Sequence, residues 1–321
     1  MLAKLVIAAI LVAIAAYFLL YHAPSIDLTP DVKQEPLKAE IIPASLLEFP
    51  NLRWNHSPIK VYINAGTAEK ASYIPDVKLA LDMWEEATGN VILFELTDDR
   101  TDADITINWV QKLRTTSLDA AGDTDLRFYN QTNFKIITHA DIELLGNIDG
   151  KEMNDFDMTN LGLHEIGHAL GLSHNGAEDS IMNPTLKIPS KEIKAITGSE
   201  IELLLDAYRL APKTDIYIAP NSTVTKVTDD RILKKYYYIN AVITIENRGL
   251  VDSKSTTMQI LADGAVVKES DIPEIQVGAI FTRTYLNLFV ENDFDAVTIA
   301  LDPNNALDEY DKKNNVLVLK V

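Results

Sequence analysis

Residues 164–174 read H-E-I-G-H-A-L-G-L-S-H, and this stretch decides the rest of the reading. On a helix, His164 and His168 are one turn apart and project from the same face. Gly171 can close that helix in a left-handed turn, where a Cβ would clash, and the chain can then return with His174. Three neutral imidazoles around one ion leave a fourth tetrahedral position for water, the pattern of a catalytic rather than a structural zinc. Glu165, beside the first imidazole, stands where it can take a proton from that water. An inert helix with coincident histidines would not account for both the glycine and the third histidine at this spacing.

Working outward, residues 49–212 read as the domain that carries this stretch. Ile59 to Ile63 has a strand pattern. Pro75 to Thr88 is an amphipathic helix, with Val77, Leu81, Trp84 and Thr88 on one face, Pro75 in the first turn and Gly89 after the end. Val91 to Leu96, Ile105 to Trp109 and Lys135 to Leu144 read as further strands. The histidine helix is expected over Thr159 to Leu170, and a last helix over Glu200 to Tyr208. The sum is a mixed sheet with about three helices.

Beyond Pro212 the helical periodicity stops. Residues 213–321 alternate between short β-rich runs and turn clusters such as Asn247-Arg248-Gly249, Asp263-Gly264 and Pro303-Asn304-Asn305. About seven short strands in about a hundred residues point to a β-sandwich.

The N-terminus is of another kind. Leu5 to Tyr21 is unbroken apolar sequence behind Lys4, long enough for a membrane-spanning helix over residues 1–22. The positive flank orients the remainder outward, giving a single-pass cell-membrane protein with an extracytoplasmic body. A cleaved signal peptide, and hence a secreted protein, is the alternative. Residues 23–48, punctuated by Pro24, Pro30, Pro36 and Pro43, read as a semi-extended stalk. The net charge of −18 argues against a nucleic-acid partner, because phosphate binding needs clustered Lys and Arg. With no cysteine in 321 residues, disulfides and thiolate–zinc sites are excluded. Three acidic runs, around Asp98 to Asp104, Asp119 to Asp125 and Asp149 to Asp157, read as solvated loops, with Ca2+ binding as the alternative.

The histidine stretch, together with Ser180-Ile181-Met182-Asn183-Pro184 further on, resembles the metzincin metallopeptidases and, within them, the matrixin branch. Leu52-Arg53-Trp54, Trp84 and Ala103-Asp104-Ile105 extend the similarity over about Phe49 to Leu210. The resemblance implies Zn2+ held by His164, His168 and His174, with Glu165 as general base and Met182 as an apolar floor beneath the metal. It also implies a pocket for the residue after the scissile bond lined by Pro184, Thr185 and Ile142, with the strand near Lys135 to Leu144 as the cleft edge on which a peptide adds antiparallel. Matrixins carry a second zinc on upstream histidines; here only His139 lies in that region, so this site is expected to be absent. Cysteine-based latency is impossible without cysteine. The C-terminal region resembles cell-adhesion-related (CARDB-type) β-sandwiches in its turn residues, which implies an accessory role and a cell-surface ligand.

The expectation is therefore an α+β chain: a metzincin-like zinc peptidase domain with a mixed twisted sheet, then an Ig-like β-sandwich, behind an N-terminal transmembrane helix. The activity implied is zinc endopeptidase cleavage of protein or peptide substrates. The competing reading is a non-catalytic surface adhesion or scaffold protein whose zinc domain holds peptides; an intact Glu165 separates the two.

Overall fold

The computed structural model describes residues 26–28, 35–36, 39–43, 52–64, 66–67, 70–113, 121–129, 135–148, 150–231 and 234–321. The expected transmembrane helix over 1–22 lies outside the described residues. Among the described residues no helix is long and apolar enough to cross a membrane. The chain divides into two compact units, one built on Leu37–Lys213 and the other on Thr214–Asn247 and Asp252–Val321.

In chain order, three short strands come first: β1 (Ile26–Leu28), β2 (Glu35–Pro36) and β3 (Glu40–Pro43). Then follow β4 (Leu52–Arg53), β5 (Ile59–Asn64), helix α1 (Ile74–Ala87), β6 (Phe94–Leu96), β7 (Ile105–Val110), β8 (Gly122–Tyr129) and β9 (Lys135–Leu145). A small hairpin, β10 (Asn147–Ile148) and β11 (Lys151–Glu152), leads to α2 (Asp155–Ala169) and later α3 (Gly198–Tyr208). The sheet of this unit runs β3-β8-β9-β7-β5-β6, with β4 also on β9. Strands β5, β6, β7 and β9 are parallel; β8 is antiparallel to β9, and β3 antiparallel to β8. One apolar core joins Ile59, Val61, Ile105, Ile107 and Leu144 of the sheet to Val77, Leu81 and Trp84 of α1 and Leu161, Leu163 and Ile166 of α2.

Helix α2 starts four residues before the sequence expectation. Asn154 and Asp157 form a reciprocal capping box, each side chain accepting from the other's backbone N–H. The extra turn is held by these local polar bonds rather than by apolar periodicity. Strand β8 was not expected at all: its Asp123 and Asp125 were read as part of an acidic loop. Yet Thr124, Leu126 and Phe128 point inward and are buried, and the acids alternate with them.

In the second unit, β12 (Ile216–Ile218), β13 (Thr223–Arg231), β14 (Lys234–Asn247) and β17 (Ala279–Val290) form one sheet. The other is β16 (Ala265–Ile272), β15 (Thr256–Ala262), β18 (Ala296–Leu301) and β19 (Val316–Lys320), in that order. Ile239, Ile243, Ile245 and Tyr285 of the first sheet share a core with Ile260, Val297 and Ile299 of the second, so this is a sandwich. The stretch expected to be a bare stalk contributes strands: β1 and β2 pair with β17, and β3 joins the first unit. An open strand edge offers unpaired N–H and C=O groups that a nearby extended segment satisfies, and the Pro-rich composition did not signal this.

Candidate metal centre

Two tryptophans fix the helix that carries the histidines. The Trp84 indole N–H donates to the Leu163 carbonyl at 3.0 Å, and the Trp54 indole N–H to the Ala169 carbonyl at 2.9 Å. Both side chains are fully buried. The helix ends at Gly171, whose φ of +102° lets the chain reverse. The N–H of Leu172 returns to the Gly167 carbonyl at 3.0 Å.

The imidazoles are then aimed by second hydrogen bonds. Nδ1 of His164 lies 2.8 Å from the Ile181 carbonyl, and Nδ1 of His168 lies 2.8 Å from the Leu172 carbonyl. A carbonyl only accepts, so each Nδ1 carries the proton and each Nε2 presents a lone pair. Those lone pairs converge: Nε2 of His164 is 3.2 Å from Nε2 of His168 and 3.3 Å from Nε2 of His174. Zinc–nitrogen bonds of about 2.0–2.1 Å in a tetrahedron put neighbouring donors about 3.3–3.4 Å apart. The donor set, its spacing and its tautomers therefore fit a zinc ion. Burial is the main cause that pulls His164 down to about 4 and His168 well below its ordinary value, against the opposing pull of the carbonyls. Burial lowers His174 as well. All three are thus neutral, and competent to bind metal, at neutral pH. His174 is the solvent-exposed member of the three.

Glu165, one residue on from His164, is buried. Its Oε2 accepts from Thr124 Oγ1 of β8 at 2.6 Å. Gly122, at the start of β8, leaves the space the carboxylate occupies: a Cβ there would lie 2.5 Å from Glu165 Oε1. Burial pushes the Glu165 carboxyl up to about 8, with the Thr124 bond working against it and Asp123 adding to it.

Met182 is buried, and its Sδ fills the space a Cβ on Gly167 would need. Its loop is tied down by Glu200 of α3, which accepts from Ser180 Oγ and from the Met182 N–H. Glu200 also closes a capping box with Thr197. Burial opposes its charge, but these bonds prevail and hold it below the ordinary carboxylate range. A depressed folded value gives stability that is complete above the unfolded carboxyl pKa of about 4.3 and is lost as pH falls through the lower folded value. Glu200→Ala should cost roughly 3 kcal/mol, since it strands buried donors. Urea denaturation at pH 7 measures this, and the deficit relative to the parent should shrink towards pH 3.

Thr185 is exposed and lines a cavity of about 400 Å³ with Asn160, Leu186, Pro189 and Lys194, among others. Pro184 is exposed and outside that lining. Ile142 is a correction. It is 1% exposed in the core, on a strand flanked by β7 and β8, so neither it nor Lys135 to Leu144 forms the open edge. The strand beyond it, β8, faces outward towards β3.

Several members of the acidic runs have partners within the chain. Asp104 accepts from the Lys60 N–H, Asp102 pairs with Lys60, Asp99 caps a short turn, and Asp157 caps α2 and accepts from the Ser190 N–H. Asp119 and Asp149 lie outside the described residues. Among the described residues, the cluster of metal-type side chains is His164, His168 and His174. Asp141 accepts from Arg127 and Thr106 and lies 3.2 Å from His139 Nε2, in the region where a second zinc is expected to be absent. Sequence reading missed Thr124, Gly122 and Glu200. Only the last carried a signal, the T-x-x-E capping box Thr197–Glu200.

Helix-borne imidazoles, a glycine turn, a third imidazole and a buried methionine packed on Gly167 stand in a unit built on a mixed sheet, with a β-sandwich in the same chain. Residues 53–208 match the family model for matrixin, and residues 215–319 the model for CARDB. The chain is 33% identical over 73 residues to metalloendoproteinase 2-MMP of Arabidopsis thaliana, covering 23% of this chain and 19% of that protein. It is 49% identical over 37 residues to metalloendoproteinase 4-MMP of the same plant, covering 12% of this chain and 11% of that one. The matched stretches thus span less than a fifth of either relative. A CARDB domain from Pyrococcus furiosus, crystallised with di-metal ions, is 14% identical with a TM-score of 0.27, covering 35% of this chain and 94% of that one. The first unit is matrixin-like and the second CARDB-like.

Proposed function

We propose that the chain is a zinc endopeptidase, with His164, His168 and His174 as the ligands and Glu165 as the general base. The observation that carries this is the meeting of three Nε2 lone pairs at the helix that also bears the buried Glu165 carboxyl. A zinc ion held there supplies an acidified water and a positive centre for the charge that develops on the substrate carbonyl. The protein's own part is proton traffic. Glu165, which a cation held by the three imidazoles would favour in its ionised form, would take the proton of the attacking water and return it to the leaving amine. Thr124 holds one carboxylate oxygen at 2.6 Å, which leaves the other for that exchange.

The peptide is best accommodated as an added strand on β8, whose Gly122 end abuts the base. The cavity lined by Thr185 suits the side chain after the scissile bond. The apolar N-terminal run supports an extracytoplasmic location with a membrane anchor, and the sandwich suits a cell-surface ligand. The test is to incubate the full chain with unfolded casein. Cleavage is expected, abolished by a zinc chelator and restored by zinc. One bound zinc without proteolysis would instead favour the scaffold reading.

A further inference from the structure

Strand β8 touches Glu165 with its inner face at Gly122 and Thr124. From Asp125 to Phe128 it is paired antiparallel with β3, in the register Pro43↔Asp125, Ile42↔Leu126, Ile41↔Arg127 and Glu40↔Phe128. Strand β3 therefore runs, amino to carboxyl, towards the end of β8 that meets the base. A peptide docking on β8 as an added antiparallel strand needs the same backbone N–H and C=O groups.

We propose that β3 is an intramolecular cap on the peptide-docking edge, which an extended polypeptide must displace. This rests on the peptide-docking reading of β8 given above.

The cap is built to leave. It is four residues long, none of them buried, and Ile41 is 64% exposed. Pro43 has no N–H to give the ladder, so pairing weakens at the end nearest the base. Each hydrogen bond of such a ladder nets only about 1 kcal/mol. An incoming strand can make the same bonds along Asp125–Phe128, so the exchange of one strand for the other carries little net cost. While β3 is docked, apparent affinity falls by the fraction of time the edge is free. The chain has no cysteine, and this strand offers a means of restraint that needs none.

That absence also permits a clean test. Ile41 and Arg127 are directly opposite and both exposed. Facing residues of an antiparallel pair have Cα atoms about 4.5–5.5 Å apart, within disulfide range. The full chain would carry Ile41→Cys with Arg127→Cys, plus Glu165→Gln so that the probe survives. Binding of fluorescein-labelled, unfolded casein is read by anisotropy in oxidised and reduced protein, with each single cysteine variant as control. Reduction should tighten binding at least tenfold, and the single variants should not respond to reductant. Equal binding in both forms, binding in neither, or a cysteine pair that does not close on oxidation overturns the cap. A failure of the peptidase reading looks different: with Glu165 intact, the reduced protein would leave casein uncut although the affinity difference persists.

Discussion

Glu165→Gln should give a folded, zinc-loaded protein whose kcat/KM for casein-derived peptides is lower by at least ~10³, about 4 kcal/mol of transition-state stabilisation. The substitution is nearly isosteric. The amide oxygen can still accept from Thr124 Oγ1, and the side chain still fits the space beside Gly122. What is lost is the ability to take up and return a proton. Because the carboxyl is buried, and burial is the chief cause that raises its pKa to about 8, a neutral amide is accommodated there as readily as the protonated acid. Thermal stability should therefore be unchanged or slightly higher while turnover collapses. That split separates a base from a structural residue. Metal analysis, melting curves and peptide turnover on one preparation check it. A variant retaining a tenth of the parental kcat/KM would remove Glu165 from the mechanism.

How much of this was legible in the sequence differs between elements for physical reasons. The histidine helix and its glycine turn were readable because i, i+4 geometry and a left-handed turn constrain residue type at each position. Helix α1 was readable because Val77, Leu81 and Trp84 fall on one face and are all buried. Strand β8 was not. In β8 the apolar alternation is carried by Thr124, Leu126 and Phe128 alone, while Gly122, Asp123 and Asp125 imitate a loop. Its Gly122 and Thr124 make room for, and bond to, the buried Glu165 carboxyl, so local propensity and tertiary contacts disagree at that strand. Ile142 was misplaced for the converse reason. A run of inward β residues indicates burial but not whether a further strand lies outside it. Strands β1, β2 and β3 were hidden because each adds to an edge made elsewhere in the chain, and no period in their own sequence records the partner. Thr124 could not be found as the partner of Glu165, since a hydrogen bond across 41 residues leaves no local pattern.

The second large effect concerns the turn that brings His174 back. Gly171→Ala should cost about 2–6 kcal/mol, from roughly 1–3 for backbone strain and 1–3 for overpacking. At a φ of +102° an L-residue is strained whatever space surrounds it. Here there is none: the new Cβ would lie 2.5 Å from the Leu52 carbonyl oxygen and 2.9 Å from the Leu52 Cβ. Leu52 cannot retreat. Its strand pairs with β9, and Arg53 next to it donates to the Ala207 carbonyl at 2.6 Å. Trp54 follows, donating its backbone N–H to the Tyr208 hydroxyl at 3.1 Å and its indole N–H to the Ala169 carbonyl. The turn must give instead, and it carries both the Leu172 carbonyl that orients His168 and, three residues on from Gly171, the His174 ring. Such a shift in the support of metal ligands typically costs about 10–100-fold in affinity. The expected result is a melting temperature lower by about 10 °C, at about 2–4 °C per kcal/mol, with zinc affinity reduced at least tenfold in a competition titration. Gly176→Ala is the matched control. A Cβ there meets nothing within 4 Å, so its effect should stay within about 0.5 kcal/mol. If Gly171→Ala melted within 2 °C of the parent and bound zinc equally well, the turn could not be what positions the third ligand.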